Sequence, residues 1–276
     1  MPIKIADTNF LRDDRALAYL STSRSNRIGL TDTVLVEMHK KRPDVTVPNS
    51  LVHLSRFPKQ VIVIKQFPQL YHFPIRSTAD VRRMIDGKQT GAFPRFVAEI
   101  LNHEDREVVE LALKSGHHDA QLRMKELEQE TKLLPEVFKQ INSRFRSSEL
   151  EQLRLRVPYG SDTQRKLIDL VFDMSRGMFK SVRIDPAYYP RVNAEVFHFL
   201  VFRYALCVVL LYTRWVHHGQ QMETKISKLI NDVNDAHIAS IATYFGGVLS
   251  DDAKLCDIHR EARYLLRVAP FKVFVG

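Results

Sequence analysis

IKIADTNFL, residues 3–11, is a short apolar run that stops at Asp7-Thr8-Asn9. Such a run reads as a buried strand whose C-terminal end presents a carboxylate, a hydroxyl and an amide. Residues 15–19 then support a short helix and residues 27–30 a second strand. TDTVLVEMHKK (31–41) follows as a helix, with Thr31 or Asp32 as its cap, Val34, Leu35 and Met38 on its inner face, and Glu37 in its first turns. After a polar stretch with Pro43 and Pro48, SLVHLSRF (50–57) reads as a further helix closed by Pro58. VIVI (61–64) is β-branched throughout, the pattern of a strand covered on both faces. Strands alternating with helices predict an α/β fold with a doubly wound, mainly parallel sheet.

The pattern changes over residues 75–225, where helical periodicity dominates. Ser77 with Asp80, and Ser148 with Glu151, have the spacing of a capping box. Residues 118–156, rich in Glu, Lys, Gln, Arg and Leu, predict one long amphipathic helix or a pair. Asp162 starts another that runs through Met178, before a break at residues 186–190. VFHFLVFRYALCVVLLYTRW (196–215) has the length of a membrane span. Arg203 in its middle and His198 near its start are expensive in hydrocarbon, so it reads as a buried helix and no membrane is implied. Residues 225–230 and 235–244 predict one broken helix or two adjoining ones. VLS (248–250) predicts a strand, 253–267 a helix, and FKVFV (271–275) a closing strand. Residues 1–74 plus 226–276 thus form a discontinuous α/β domain, and 75–225 an inserted all-helical subdomain.

Among 276 residues, 45% are hydrophobic and 26% charged, which excludes a largely disordered chain. The net charge of +9 favours polyanions, because each cation set beside a phosphate releases condensed counterions. Charge alone does not separate RNA from DNA. Cys207 and Cys256 sit in apolar or helical contexts as reduced core residues, and residues 1–14 lack a basic-then-apolar secretory signal. Both features fit a cytoplasmic protein.

Four acids stand where a metal site can use them. Asp7 ends the first strand, Glu37 lies on the helix after the second, Asp235 opens DAHIASIATYFGG (235–247), and Asp252 follows VLS. In open α/β sheets ligands bind beyond the carboxyl ends of the strands. Asp7 and Asp252 meet there if their strands are neighbours. Clustered carboxylates raise one another's pKa values. Mg²⁺ or Mn²⁺, which take hard oxygen ligands, relieve that repulsion and activate water for in-line attack on phosphorus. Of the neighbouring acids, Asp32 reads as a cap and Asp232 as solvent-exposed. Asp251 competes with Asp252, which is preferred on its spacing from Ser250.

IADTNFL, LTDTVLVEMHK and NDVNDAHIASIATYFGGVLSDDAKL resemble the acidic motifs of PIN-domain (PIN-like) nucleases, over about the first 70 and last 50 residues. The helical block between them departs from the compact form of that family. The resemblance implies that Asp7, Glu37, Asp235 and Asp252 are catalytic, with Asp7, Asp235 and Asp252 holding Mg²⁺ or Mn²⁺. Thr8, Asn9 and Ser250 match the small polar residues that orient such acids, with Asp251 beside them. It further implies an endoribonuclease leaving 5′-phosphate and 3′-hydroxyl ends, RNA ahead of DNA as substrate.

Arg12, Arg15, Lys40 and Lys41 flank the first two motifs as candidate nucleic-acid contacts; Arg42, Arg76, Arg82 and Arg83 add to the same charge. The pairs His117-His118 and His217-His218 lack cysteine partners or an HExxH pattern and read as surface residues rather than zinc ligands. His39 and His237 read as packing residues. The helical block offers a surface for substrate, a protein partner or a second copy of the chain. A competing reading is a non-catalytic scaffold that binds nucleic acid or a protein through that block.

Overall fold

Four short apolar segments pair in parallel: β1 (Ile3–Ala6), β2 (Arg27–Leu30), β3 (Val61–Val63) and β4 (Val248–Leu249). Their order is β3-β2-β1-β4, with Ile5 opposite Gly29 on one side and Val248 on the other. Ile5, Ala6, Ile28, Leu30, Val61 and Val63 are all buried, as expected of strands covered on both faces. The computed structural model describes residues 3–102, 104–181, 189–190, 193–219 and 225–268. Helix makes up 73% of it, so the protein is an α/β molecule in which a small parallel sheet carries a large helical complement. The chain steps outward from β1 to β2 to β3, then returns to place β4 on the far side of β1. Right-handed crossovers put helices on opposite faces on either side of that reversal, which makes the β1/β4 boundary the switch point of the sheet.

Thr31 caps the Asp32–His39 helix, its hydroxyl accepting from Val34 N–H at 3.4 Å. Asp32 accepts from the backbone N–H groups of Thr33 and Phe67, each at 2.9 Å, and so ties the segment after β3 to this helix. Pro43, expected to precede a helix, begins one: the Pro43–Leu51 helix tolerates it at a position whose N–H has no intrahelical acceptor. A single 3₁₀ turn at Leu54–Arg56 replaces the rest of the expected 50–57 helix, and another follows at Pro58–Gln60.

The helical block has no strand among its described residues. Residues 118–156 fall within three helices rather than one or two, Arg106–Lys132, Leu134–Asn142 and Ser147–Leu155, with Pro135 in the first turn of the second. The box at Ser77 and Asp80 forms as expected. Its counterpart does not: Glu149, not Glu151, reaches back to the Arg146 N–H at 2.6 Å. The Leu200–His217 helix is apolar nearly all round and 78% buried, the mark of a helix inside a protein core. It packs on the Ser161–Ser181, Ile226–Ala242 and Ala253–Leu265 helices, and its residues join those of the strands in one apolar core. Residues 186–188 of the expected 186–190 break, and the FKVFV strand, lie outside the described residues.

The Arg106–Lys132 helix crosses the Asp32–His39 helix, with Gly116 against the His39 ring. His39 Nδ1 donates to the Leu35 carbonyl at 2.9 Å, and His117 Nδ1 to the His39 carbonyl at 2.6 Å. His117 and His217, which donates to the Arg154 carbonyl at 2.6 Å, are therefore helix-to-helix ties rather than free surface residues. His118 and His218 are exposed.

A Cβ on Gly116 would come within 2.5 Å of the His39 ring, whereas a Cβ on Gly91 meets nothing within 4 Å. Gly116→Val is expected to destabilise the protein by about 2 kcal/mol through overpacking. Gly91→Ala should stabilise it by about 0.5–1 kcal/mol through helix propensity. Urea unfolding midpoints test the pair, and equal midpoints for the two variants would contradict the close approach.

Candidate functional site

Asp7 leaves β1 at the switch point, its N–H donating to the Leu249 carbonyl of β4 at 2.9 Å. It caps the short Thr8–Leu11 helix, Oδ1 accepting the Thr8 N–H at 2.6 Å. Its other oxygen accepts the Ser250 hydroxyl at 3.0 Å, and Ser250 Oγ in turn accepts the Asp252 N–H at 3.0 Å. The adjacency of β1 and β4 thus brings residues from the two ends of the sequence onto one carboxylate.

Glu37 joins from the Asp32–His39 helix. The Thr8 hydroxyl donates to its Oε2 at 2.8 Å, while Lys40 Nζ and Asn234 Nδ2 approach its Oε1 at 3.4 Å. Asn234 is buried, and its Oδ1 has no hydrogen-bond donor among the described residues.

Asp235 departs from its expected place. It lies in the middle of a single Ile226–Ala242 helix instead of opening one, because residues 226–234 continue the helix toward the N-terminus without a break. Asp232, expected in solvent, sits one turn earlier on the same face and shares a partner with Asp235. That partner is Lys254, whose ammonium pairs with Asp232 and lies 2.8 Å from Asp235 Oδ2. Lys254 occupies the first turn of the Ala253–Leu265 helix, which Asp252 caps by accepting the N–H groups of Lys254 and Leu255 at 2.7 and 3.1 Å. Sequence reading missed Lys254 and Asn234. The spacing of Lys254 from Asp252, and the adjacency of Asn234 to Asp235, were the available signals.

The other candidates separate. Asp251 turns away to a two-point pairing with Arg15, at 2.6 Å for Nη1 to Oδ1, leaving Asp252 beside the other acids. Arg15 is also held by Asp13 at 2.7 Å, and Arg12 donates to Ser50 at 3.2 Å, so neither guanidinium is idle. Lys40 is committed to Glu37, whereas Lys41 and Asn9 are exposed. His237 is a packing residue as expected, its ring 4.0 Å from Phe67 and 4.5 Å from Tyr204, and burial pushes its pKa down to about 3.

Burial raises the Asp7 pKa above the usual carboxylate range; the charge of Glu37 adds to this, and Asp252 adds a little more. The Ser250 and Thr8 hydrogen bonds pull the other way. Asp235 is pushed up to about 7, first by burial, against the pull of Lys254, with Asp252 and Asp232 reinforcing burial. Burial disfavours the Lys254 ammonium, but Asp235 and Asp232 outweigh it and its pKa rises. Hydroxyls and this ammonium link the acids. Among the described residues, no three His, Cys, Asp or Glu side chains are gathered closely enough to enclose one ion.

No protein-family model matches this chain, and no curated protein or solved structure is significantly similar to it. The chemistry of the cluster has its own signature in pH. Asp235 has an ordinary pKa of 3.8 and a folded value of about 7, so folding favours its protonated form. Its contribution is therefore fully present below about pH 4 and is lost as pH rises through about 7. Asp235→Asn should raise the thermal midpoint at pH 8 in EDTA, by the equivalent of about 1–3 kcal/mol, with a much smaller gain at pH 5. An unchanged or lowered midpoint at pH 8 would mean that Lys254 already compensates the charge.

Proposed function

We propose that this chain is a divalent-metal-dependent nuclease with a PIN-like fold, an endoribonuclease acting in the cytoplasm. One observation carries the reading. Asp7 after β1 and residues 250–252 after β4 share the switch point of a parallel sheet, while two separate helices bring Glu37 and Asp235 toward them. The sequence resemblance to PIN-like nucleases supports the same assignment, since Asp7 lies within electrostatic reach of Glu37 and Asp252, and Asp252 within reach of Asp235. Two free thiols, Cys207 buried and Cys256 partly so, support a reducing compartment.

The donor set suits Mg²⁺ or Mn²⁺. Its carboxylates are hard oxygen ligands whose pKa values are raised by burial and by one another, and the Asn234 amide adds a buried oxygen without a donor. Asp7, Asp235 and Asp252 are the ligands that the resemblance implies, and they would have to draw closer together to hold one cation. When bound, it supplies positive charge at the scissile phosphate and activates water for attack.

The chain's own residues do the rest. Ser250 and Thr8 fix both Asp7 oxygens. Glu37, oriented by Thr8, Lys40 and Asn234, is an acceptor for the proton of attacking water. Lys254 compensates Asp232 and Asp235 and offers a cation to an entering phosphate. The excess of +9 favours the approach of a polyanion. RNA is the favoured substrate through the family resemblance; the chemistry makes no use of the ribose 2′-hydroxyl. The helical block provides further surface for substrate, a protein partner or a second copy.

Labelled RNA and DNA should be cleaved with Mn²⁺ and not with EDTA. Loss of several kcal/mol of charge stabilisation should make Asp7→Asn slower by about a hundredfold or more. Equal cleavage by Asp7→Asn would overturn the assignment and leave a non-catalytic scaffold as the better reading. Lys254→Met removes a charge that competes with the cation, so calorimetry should show Mn²⁺ bound roughly tenfold more tightly. Weaker binding would instead make Lys254 a residue that positions the acids.

A further inference from the structure

A cavity lies at the pole of the sheet away from the acidic cluster, where Ile3 begins β1 and Gly246 precedes β4. Its volume is about 850 Å³, within the usual span of small-molecule sites. Ile3, Ile62, Ile85 and Phe245 give it apolar walls, and Arg203 and Arg82 stand on its lining.

Arg203 is the unusual member. It projects from the apolar Leu200–His217 helix, donates from Nη1 to Thr243 Oγ1 at 3.0 Å, and lays its guanidinium on the Tyr244 ring, 3.4 Å from the centroid. Its Nε is buried and has no hydrogen-bond acceptor, and among the described residues no carboxylate pairs with it. Arg214, further along the same helix, is by contrast paired with Glu261 at 3.0 Å and Asp257 at 3.4 Å. Acids near the cavity rim are already engaged: Glu195 with Arg76 at 3.2 Å, Asp80 with Arg83 at 3.6 Å, and Asp86 with the Gln89 N–H at 2.9 Å. A cation withdrawn from water without a counter-ion is costly, and an anion entering the cavity would offset that cost.

We propose that this cavity binds a small amphiphilic anion, a phosphate or carboxylate head on an apolar or aromatic body. The head meets Arg203, with Arg82 and Arg76 at the rim, and the body lies against the isoleucines and Phe245. Burial lowers the pKa of Arg203 from its ordinary value, and an anionic head beside it would stabilise the charge that burial disfavours. The site is independent of the acidic cluster, since the two stand at opposite ends of the strands.

The test is calorimetric titration of the full chain in EDTA with adenosine 5′-monophosphate, octanoate and inorganic phosphate, using adenosine and octanol as neutral controls. Binding of the nucleotide or of octanoate, with the matching neutral compound about tenfold weaker or worse, is expected from a charge-assisted contact. Nucleotide binding alone identifies a phosphate head, and octanoate binding alone a carboxylate head. Arg203→Met should weaken the bound anion roughly tenfold or more, while Asp7→Asn leaves it unchanged. No binding by either organic anion would overturn the proposal. So would equal binding by the neutral controls, inorganic phosphate as tight as the nucleotide, or full binding by Arg203→Met. If that variant does not fold, the exposed pair Arg76→Ala with Arg82→Ala replaces it, and unchanged affinity there overturns the proposal equally.

Discussion

The pairing of β1 with β4 is the contact on which the site depends. It spans nearly the whole sequence, joining Ile5 to Val248 and Ala6 to Leu249. Ordering so long a loop carries an entropic cost that grows only slowly with length, so a large helical block fits between the two strands. The buried sides of β1 and the apolar helices that cover it supply the compensating burial. Once the strands are adjacent, the Asp7 N–H meets the Leu249 carbonyl, and Ser250 falls beside the Asp7 carboxylate. Shifting the register by one residue would turn these side chains to the opposite face and dissolve the cluster.

The cluster is held by second partners more than by the acids themselves. Three of the carboxylates have hydrogen-bond donors, the Thr8 and Ser250 groups for Asp7, Thr8 for Glu37 and helix N–H groups for Asp252, and Asp235 has Lys254 as its ion-pair partner. The donors limit how far like charges can relax apart. Lys254 matters most among them, because it reaches from the helix capped by Asp252 to the helix carrying Asp232 and Asp235. An ammonium in that position serves as a counter-ion to both acids.

The strands were legible because β-branched runs such as residues 61–64 leave little choice of conformation, and Thr31 and Ser77 were legible as caps because their partners are local. Asp235 was placed on the right segment and the wrong part of it. Asp followed by Ala and His looks like a helix start, but Ile226, Leu229, Ile230 and Val233 extend the apolar stripe past it, and tertiary burial decides. Asp232 was read as solvated for want of a visible partner; Lys254, more than twenty residues away, becomes its neighbour only in three dimensions. Arg203 shows the same limit. Within an apolar run it argues against a membrane span, yet its cavity is assembled from five separate stretches of chain.

Buried acids with raised pKa values are a burden on the folded state, since each must be desolvated beside others of its kind. Apolar residues of similar size at those positions would pack without that cost. A scaffold whose task is only to hold a partner on its helical block gains nothing from concentrating the cost at the C-terminal ends of its strands. A phosphodiesterase does gain, because a divalent cation and the phosphate it brings need carboxylate oxygens close at hand. The catalytic reading therefore accounts for a feature that the scaffold reading leaves unused: the fold gives up stability where binding a divalent cation would return it.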